Sequence, residues 1–433
     1  MKKLVINGGH ELRGSIQISG SKNASLPVLI GSILIGGKSR LYNVPSVSDI
    51  STTIELLEHL GASARFNGIT ATGESIFEVD TAKINRTDGP YEIVSKMRAS
   101  FWVLGALLGR FGEAKVSLPG GCSIGPRPCD IYMDALEMMG ADLNLVNGCV
   151  NARVKSRNKK LRGANITLRL PSVGATHNTI MAACLADGVT TIGNAAREPE
   201  VIDLCRYLIG AGALITGFGT DTIVVTGVEK LYPSDYRIIG DRVEAFSYMA
   251  AVAATRGDVI FNGLNFFELM KRPIEVLRKM NLAIEEIAPD RIRIYYGGSL
   301  KPADVTTEVY PGFSTDLQAP MMALLGIVEG ESKIRETIFE NRFMHVPELN
   351  RLGADITISG DQALLRGVDS YYGANVMASD IRAGMALIIA GLQARGRTNV
   401  SRIYHVERGY ENFTEKLQSC GAELEMDNRD TEM

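Results

Sequence analysis

The sequence lacks the long apolar runs that mark membrane proteins and secreted precursors. Its longest apolar stretch, near residues 101–108, is far shorter than the roughly 18 residues of a membrane span. The two lysines at its start are not followed by an apolar core of signal-peptide length. We therefore expect a cytoplasmic protein with no membrane partner.

An excess of basic charge and paired cysteines are also missing. The chain has 433 residues, with 46 lysines and arginines against 49 acidic residues and a net charge of −3. A dedicated nucleic-acid binder normally has a basic excess, so we expect no nucleic-acid partner. The six cysteines include no Cys-x-x-Cys pair, and a chain of this size does not need disulfides to fold. Reduced thiols in a globular protein of two or more domains are the simplest interpretation.

The motifs of the common nucleotide and metal enzymes are absent as well. We find no GxxxxGK(S/T) phosphate loop, no GxGxxG between a strand and a helix, and no HExxH. The five histidines are scattered without metal-ligand spacing, and His59 and His345 are best explained as surface or packing residues. The sequence therefore predicts no metal site and no bound cofactor.

An internal repeat is the main organising feature that is present. Amphipathic helical segments end in a Leu-Gly-Ala-like signal, in which glycine supplies the left-handed residue that terminates a helix. Copies recur about every 70 residues, and a degenerate one falls near Met280-Asn281-Leu282. The others are Leu60-Gly61-Ala62, Met139-Gly140-Ala141, Ala211-Gly212-Ala213, Leu352-Gly353-Ala354 and Cys420-Gly421-Ala422.

Each copy continues into short apolar or alternating runs that predict strands. Asn67-Gly68 and Asn147-Gly148 predict the turns of hairpins between such strands. Six mixed helix-and-strand units account for nearly the whole length. Periodicity alone leaves open whether they form one ring, a row, or two clusters of three. A ring that encircles DNA has little support, because it would need a basic lining.

The segment from Leu118 to Pro128 presents one thiol on a loop rich in glycine and proline. These residues disfavour helix and strand, so we predict a mobile arm that carries Cys122 and Arg127 at its tip. An adjacent guanidinium favours the thiolate, which makes Cys122 a candidate nucleophile or proton donor. A lone cysteine is more often a small buried apolar residue, and this alternative stays open.

Basic residues in unusual local settings suggest a polyanionic substrate. Lys22 and Asn23 stand at the predicted start of an apolar helix, where backbone amides and the helix dipole favour anions. A serine cap beside a solvated lysine is the alternative. Arg98 opens another apolar helix and needs an anionic partner there. Three further arginines stand near acidic residues that would pair with them, namely Arg342 near Glu340, Arg382 near Asp380 and Arg408 near Glu407.

Asp316 lies on a predicted turn before an apolar helix, within the segment from Tyr310 to Ala319. It is placed to cap that helix, which is the commoner use of such an aspartate. It is equally placed to act as a general base.

These residues match a known family over essentially the full length of the chain. The chain resembles the enolpyruvyltransferases, and among them the UDP-N-acetylglucosamine 1-carboxyvinyltransferases. The matching motifs are Ser21 to Ala24, Met97 to Ser100, Pro119 to Pro128, Pro171 to Thr176, Asn194 to Glu200, Glu340 to Val346, Arg402 to His405 and Arg408 to Tyr410.

The resemblance implies an α/β fold of two domains, the inside-out α/β barrel of this family. Each domain would contain three βαβαββ-type units, with helices packed inside a ring of sheets. One domain would span residues 22–231 and carry the Cys122 loop, and the other would combine residues 1–21 with 232–433. The active site would lie in the cleft between them.

The resemblance also implies a reaction, the first committed step of peptidoglycan precursor synthesis. The enolpyruvyl group of phosphoenolpyruvate would pass to the 3'-hydroxyl of UDP-N-acetylglucosamine, and phosphate would leave by addition and elimination. Cys122 would act on the acid side and form an adduct at C2, while Asp316 would accept the hydroxyl proton. Lys22 and Arg408 would complete the catalytic set. The two substrates are the implied partners.

The same resemblance assigns the substrate contacts. The phosphoenolpyruvate contacts would be Lys22, Arg127, Arg342, Arg382 and Arg408, and Asn23 and Arg98 would touch the substrates or the intermediate. The UDP group would contact Arg127, Pro128, Cys129, Asp130, Ile131, Ser172, Val173 and Gly174, with Ile338 against the sugar.

Three departures from the family pattern leave every required chemical group in place. Ser314 replaces an expected proline, Leu170 replaces a lysine that some members use, and bulky residues fill 241–246 where glycine is expected. Two rival functions fit the residues less well. An enolpyruvylshikimate-phosphate synthase uses no cysteine loop of this kind, and a non-catalytic UDP-sugar-binding paralogue would not need Cys122 together with Asp316.

Overall fold

The computed structural model describes residues 2–120 and 129–427. Within them, strands and helices are interspersed along the chain. The strands are β1 (Lys3–Asn7), β2 (Arg13–Gln17), β3 (Lys38–Tyr42), β4 (Ser63–Ile69), β5 (Ser75–Asp80), β6 (Asp88–Gly89), β7 (Glu113–Ser117), β8 (Ala141–Val146), β9 (Cys149–Val154), β10 (Asn165–Thr167), β11 (Val189–Gly193), β12 (Leu214–Thr216), β13 (Thr222–Thr226), β14 (Tyr236–Arg237), β15 (Asp258–Asn262), β16 (Ala283–Ala288), β17 (Arg291–Tyr295), β18 (Val305–Thr306), β19 (Glu331–Arg335), β20 (Asp355–Ser359), β21 (Gln362–Arg366), β22 (Asn375–Met377), β23 (Arg397–Ser401) and β24 (Glu423–Asp427).

The α-helices lie between these strands, and short 3-10 turns at Ser32–Leu34, Arg98–Trp102 and Thr315–Leu317 adjoin three of them. The helices are α1 (Lys22–Gly31), α2 (Ser48–His59), α3 (Tyr91–Val94), α4 (Val103–Phe111), α5 (Asp130–Met138), α6 (Val173–Ala183), α7 (Pro199–Gly210), α8 (Arg242–Ala254), α9 (Phe266–Leu269), α10 (Lys271–Lys279), α11 (Gln318–Leu325), α12 (Val346–Arg351), α13 (Ile381–Gln393), α14 (Tyr404–Glu407) and α15 (Phe413–Ser419).

The described strands form six four-stranded sheets that share one plan. In the sheet β6-β7-β9-β8, the short β6 pairs in parallel with β7, and β9 then pairs antiparallel with both β7 and β8. Helix α4 precedes β7 and α5 follows it, which gives the order βαβαββ. The other sheets are β14-β3-β5-β4, β10-β11-β13-β12, β16-β17-β15-β2, β18-β19-β21-β20 and β22-β23-β1-β24. The predicted sixfold repeat is confirmed.

Contacts divide the described residues into two compact units of three sheets each. The terminal unit comprises residues 2–19 and 240–427, and the middle unit comprises 20–120 and 129–239. The N-terminal strands belong to the terminal unit, because β1 pairs with β23 and β24 while β2 pairs with β15. The predicted boundary after residue 231 falls before the observed one, because β14 pairs in parallel with β3 and so stays with the middle unit.

Each unit surrounds its own buried helices with its sheets. In the terminal unit, α8 and α11 are buried along their whole length and α13 is buried at nearly every position. In the middle unit, α1, α4 and α6 take the same place. The strands alternate between buried and exposed side chains, so one face of each sheet packs on these helices. This is the helix-inside arrangement that the resemblance implied.

The predicted helix ends are confirmed at every copy of the repeat. Gly61, Gly140, Gly212, Gly353 and Gly421 all have φ between 90° and 102°, the left-handed region that glycine adopts without strain. The degenerate copy places Asn281 there with φ of 73°. Asparagine tolerates this conformation better than most residues, so the helix end survives without glycine.

One of the two predicted hairpin turns is confirmed and the other is wrong. Asn147 and Gly148 have φ of 51° and 74° and join β8 to β9, as a two-residue turn requires. Asn67-Gly68 instead lies inside β4, at an irregularity in its pairing with β5. The turn closes further on, where the Thr70 N–H donates to the Glu74 carbonyl at 2.8 Å.

None of the helices in the described part of the chain is both long and apolar enough to cross a membrane.

Candidate active site

Lys22 is buried at the start of α1 and paired with a carboxylate. The Ser21 Oγ caps the helix by accepting from the Ala24 N–H at 3.2 Å, as predicted. The Lys22 Nζ donates to the Asp49 Oδ2 on α2 at 3.0 Å, and the two side chains are 9% and 5% exposed. A solvated lysine is therefore the wrong interpretation. Asn23 lies beside this pair and is half-buried.

Arg98 begins the 3-10 turn that leads into α4, where a helix start was predicted. Its Nη2 lies 3.5 Å from the Cys129 Sγ, within hydrogen-bond range for sulfur. Burial raises the pKa of the Cys129 thiol, and the Arg98 charge partly offsets this effect. Cys129 is thus held next to a cation in the middle unit.

Asp130 is the first residue of α5 and forms an ion pair with Arg169. The hydrogen bond from the Arg169 guanidinium is the main cause that lowers the pKa of Asp130. Ile131 follows it and is buried. The carboxylate also favours the helix N-terminus, since acidic groups complement the positive end of the helix dipole.

The start of α6 lies against two aromatic side chains. Ser172 caps this helix by accepting from the Ala175 N–H at 3.3 Å, and Val173 is half-buried. A Cβ at Gly174 would lie 2.1 Å from the Tyr132 Oη and 2.7 Å from the Trp102 Nε1. Only glycine lets the helix start approach the aromatic pair this closely.

Asp316 connects two arginines in the terminal unit. Its Oδ1 accepts from the Arg342 Nη2 at 2.7 Å, and its Oδ2 accepts from the Arg382 Nη2 at 2.9 Å. Ser314, not Asp316, caps the 3-10 turn, with its Oγ 3.4 Å from the Asp316 N–H. The capping interpretation of Asp316 is therefore wrong.

The same contacts correct the expected pairing of the arginines. In the described part of the chain, Arg342 and Arg382 reach Asp316 instead of their sequence neighbours Glu340 and Asp380. Asp380 instead caps α13, because its Oδ1 accepts from the backbone of Arg382 at 2.9 Å. A side chain that satisfies its own helix start is less suited to pair with the arginine beside it.

Arg382 bonds to a second side chain besides Asp316. It is 6% exposed, and its Nη1 donates to the Tyr410 Oη at 3.3 Å. The Tyr410 hydroxyl also shares a hydrogen bond with the Ser247 Oγ at 2.8 Å. Burial is the largest single effect and opposes the charge of Arg382, but Asp316, Tyr410 and Asp241 together outweigh it, and the pKa of Arg382 is raised. Arg382 therefore stays charged at every physiological pH.

The remaining predicted residues fall in different settings. Arg408 follows α14 and is half-buried, and Ile338 lies half-buried in the turn after β19. His345 is a packing residue, as predicted: burial lowers its pKa to about 4, so it is neutral near pH 7. Cys122, Arg127 and Pro128 lie outside the described residues.

Comparison with known proteins finds similarity to carboxyvinyltransferases over nearly the whole chain. The profile of the EPSP synthase (3-phosphoshikimate 1-carboxyvinyltransferase) family matches residues 6–417. The UDP-N-acetylglucosamine 1-carboxyvinyltransferase of Nitratidesulfovibrio vulgaris is 50% identical over 98% of this chain and 99% of its own length. The chain belongs to the UDP-N-acetylglucosamine 1-carboxyvinyltransferases, within the EPSP synthase family. The Rickettsia prowazekii member is 46% identical over the same shares of the two chains.

Solved structures agree on the fold of this family. The enolpyruvyl transferase NikO from Streptomyces tendae superposes with a TM-score of 0.87 at 23% identity, covering 98% of each chain. An EPSP synthase from Acinetobacter baumannii superposes with a TM-score of 0.76 at 19% identity, covering 99% of this chain and 100% of its own. At these identities the likeness concerns the fold alone.

Several partners of the predicted site residues were not themselves predicted. Asp49 pairs with Lys22, and Arg169 pairs with Asp130. Tyr410 belongs to a matching motif, but only the structure shows that its hydroxyl accepts a hydrogen bond from Arg382. A buried lysine at a helix start signals that a carboxylate must be near. That signal says nothing about which acidic residue supplies it, because the pairing depends on the tertiary structure.

Proposed function

We propose that this protein transfers the enolpyruvyl group of phosphoenolpyruvate to the 3'-hydroxyl of UDP-N-acetylglucosamine and releases inorganic phosphate. The observation that carries the proposal is 46% to 50% identity over 98% of the chain to relatives named for this activity. The protein would act in the cytoplasm on two small-molecule substrates. Its product would enter peptidoglycan precursor synthesis.

The reaction is an addition followed by an elimination. A proton adds to the methylene carbon of phosphoenolpyruvate while the sugar 3'-oxygen bonds to C2 and loses its own proton. The tetrahedral intermediate then loses a proton from the new methyl group, and its C2–O bond to phosphate breaks. Proton transfers of this kind need a base and an acid fixed near the reacting atoms.

Asp316 is our candidate for the base that accepts the hydroxyl proton. Two arginines hold its carboxylate from opposite oxygens, at 2.7 and 2.9 Å, so its orientation is set before a substrate binds. On the acid side we propose Cys122, which supplies the thiol of the family motif.

The arginines and Lys22 are our candidates for binding the two anionic groups of phosphoenolpyruvate. Guanidinium forks match both carboxylate and phosphate geometry. Arg342 and Arg382 are each 6% exposed, and bonds to an anion are stronger where water is largely excluded. Arg408 and Arg127 complete this set in the proposal.

The start of α6 and the residues around α5 are our candidates for binding the UDP group. Ser172, Val173 and Gly174 form a capped helix N-terminus, and the backbone N–H groups of a helix N-terminus suit a phosphate or a carbonyl oxygen. Asn23, Arg98, Cys129, Asp130, Ile131 and Ile338 complete the proposed contacts with the sugar nucleotide or the intermediate.

The test is phosphate release from the purified protein with phosphoenolpyruvate and UDP-N-acetylglucosamine together, and with each substrate alone. We expect release only with both, and its loss in Cys122→Ala and Asp316→Asn. Asp355→Asn, on the exposed face of β20, is the matched control and should keep full activity. If shikimate 3-phosphate replaces the sugar nucleotide as the required acceptor, the proposed acceptor is wrong. Binding of both substrates without any release would favour a non-catalytic paralogue.

A further inference from the structure

Glu336 is a buried carboxylate that follows β19 and bonds to three separate segments of the terminal unit. It is 4% exposed. Its Oε1 accepts from the Thr307 hydroxyl at 3.0 Å and from the backbone N–H groups of Ile338 and Phe339 at 2.9 and 3.2 Å. Its Oε2 accepts from the Thr315 hydroxyl at 2.9 Å.

The segment that carries Glu336 is itself firmly held. The Thr307 N–H donates to the Arg335 carbonyl at 2.9 Å, continuing the parallel pairing of β18 with β19. The Thr337 N–H donates back to the Thr307 Oγ1 at 2.9 Å. Thr307 is fully buried. The backbone that carries Glu336 is therefore fixed at the end of β19.

Two of the three segments carry residues of the proposed site. Thr315 directly precedes Asp316 in the 3-10 turn, so its hydroxyl bond to Glu336 sets the position of the turn that presents the candidate base. The Phe339 ring lies under the Arg342 guanidinium at 5.7 Å, and Arg342 is one of the two arginines on Asp316. One carboxylate thus supports both the base and one arginine that orients it.

We propose that Glu336 is a positioning residue for enolpyruvyl transfer. Through Thr315 it fixes the turn that carries Asp316. Through the turn at Ile338 and Phe339 it fixes the ring against which the Arg342 guanidinium packs. This rests on the proposed function. Glu336 does not touch the reacting atoms in this role, and acts through Asp316. A carboxylate suits the task because it accepts several hydrogen bonds at once, and four donors converge here.

The test is a double-mutant cycle on kcat with Glu336→Gln and Thr315→Val. Glutamine keeps the shape and can retain the three bonds at Oε1, but its amide nitrogen can only donate to the Thr315 oxygen, so the charge-assisted bond from the Thr315 hydroxyl is replaced by a weaker neutral one. Valine removes that hydroxyl at nearly constant volume. Both changes act on the same charge-assisted bond between Glu336 and Thr315, so we expect each single variant to lower kcat about tenfold and the double variant to fall little further. KM for the sugar nucleotide should change less than about twofold, because the backbone bonds of the Ile338 turn remain.

Thr398→Val is the matched control, a buried threonine of the same unit whose hydroxyl has no hydrogen-bond partner among the described residues. It should leave kcat unchanged, and thermal melts should show all variants folded. Unchanged kcat in Glu336→Gln and Thr315→Val, beside an inactive Asp316→Asn, would overturn the positioning role alone. Effects that multiply in the double variant would also overturn it. A wild-type protein that folds but has no activity would instead refute the proposed function, and the role of Glu336 with it. If Glu336→Gln fails to fold, Thr315→Val alone decides between a lowered and an unchanged kcat.

Discussion

Replacing Gly174 by alanine should weaken binding of the sugar nucleotide without abolishing turnover. The added methyl group would lie 2.1 Å from the Tyr132 Oη, so one of the two must move by about 1 Å or more to reach ordinary contact. Tyr132 packs edge-on against Phe101 at 5.8 Å, and Trp102 packs edge-on against the buried His177 at 5.0 Å. Neither ring can turn away easily, so the start of α6 is expected to shift.

The expected size of the effect follows from this shift. Overpacking a buried contact typically costs about 1–3 kcal/mol, part of it in folding and part in the geometry of the helix start. If about 1.4 kcal/mol falls on binding, the Kd for UDP-N-acetylglucosamine rises tenfold. At saturating substrate, kcat should stay within about threefold, because none of the proposed catalytic groups lies on α6.

Fluorescence of Trp102 supplies the assay, because it is the single tryptophan of the chain and its indole N–H lies at Gly174. Titration with UDP-N-acetylglucosamine should give the weaker Kd in Gly174→Ala. Adding Tyr132→Phe should restore part of the affinity, since it removes the oxygen that the new methyl group meets. Gly31→Ala in α1 is the control, where the nearest atom is the end of a leucine side chain at 3.1 Å. A Kd for Gly174→Ala within twofold of the unchanged protein would refute the reasoning.

Two further predictions concern buried charge in the middle unit. Burial raises the pKa of Asp203 from 3.8 to about 7. Between about pH 4 and 7 the folded state therefore holds a proton that the unfolded state has released, and the free energy of unfolding falls as pH rises. Asp203→Asn, which can still accept from the Tyr236 hydroxyl, should flatten this decline in urea titrations, and equal slopes in both proteins would contradict it. Asp49→Asn should lower the free energy of unfolding by about 1–3 kcal/mol, because Lys22 loses its charged acceptor, and adding Lys22→Met should recover part of the loss. Chemical denaturation of Asp49→Asn and of the double variant with Lys22→Met measures the loss and the recovery of unfolding free energy. No recovery in the double variant would count against a charge effect.

The repeated fold was readable from the sequence because its signals are local. A helix that ends in a left-handed residue needs glycine or asparagine at one position, and Gly140 and Asn281 both show it. The turn signal at Asn67-Gly68 failed because the same dipeptide also serves an irregular strand. The pairing of β14 with β3 could not be predicted, because a strand of two residues has no sequence pattern that identifies its partner.

The candidate site was predictable in its parts and not in its pairings. The start of α1 follows from a capping serine and an apolar run that lie next to each other in the sequence. The bonds of Asp316, in contrast, reach Arg342 and Arg382, which are 26 and 66 residues further along the chain. Such partners depend on how three segments of one unit meet in space, and the acidic residues beside each arginine were the misleading local alternative.

Asp316 is shared by two arginines, although one would be enough to form an ion pair with it. Asp316 accepts from Arg342 at its Oδ1 and from Arg382 at its Oδ2. In the proposed reaction a carboxylate base must stay ionised close to a substrate that is itself a polyanion, an arrangement that repels in the ground state. The arginines offset this repulsion in the ground state, and their hydrogen bonds hold the carboxylate in one orientation. Loss of either guanidinium should therefore reduce kcat by misplacing Asp316, and raise KM for phosphoenolpyruvate by removing a proposed contact with it.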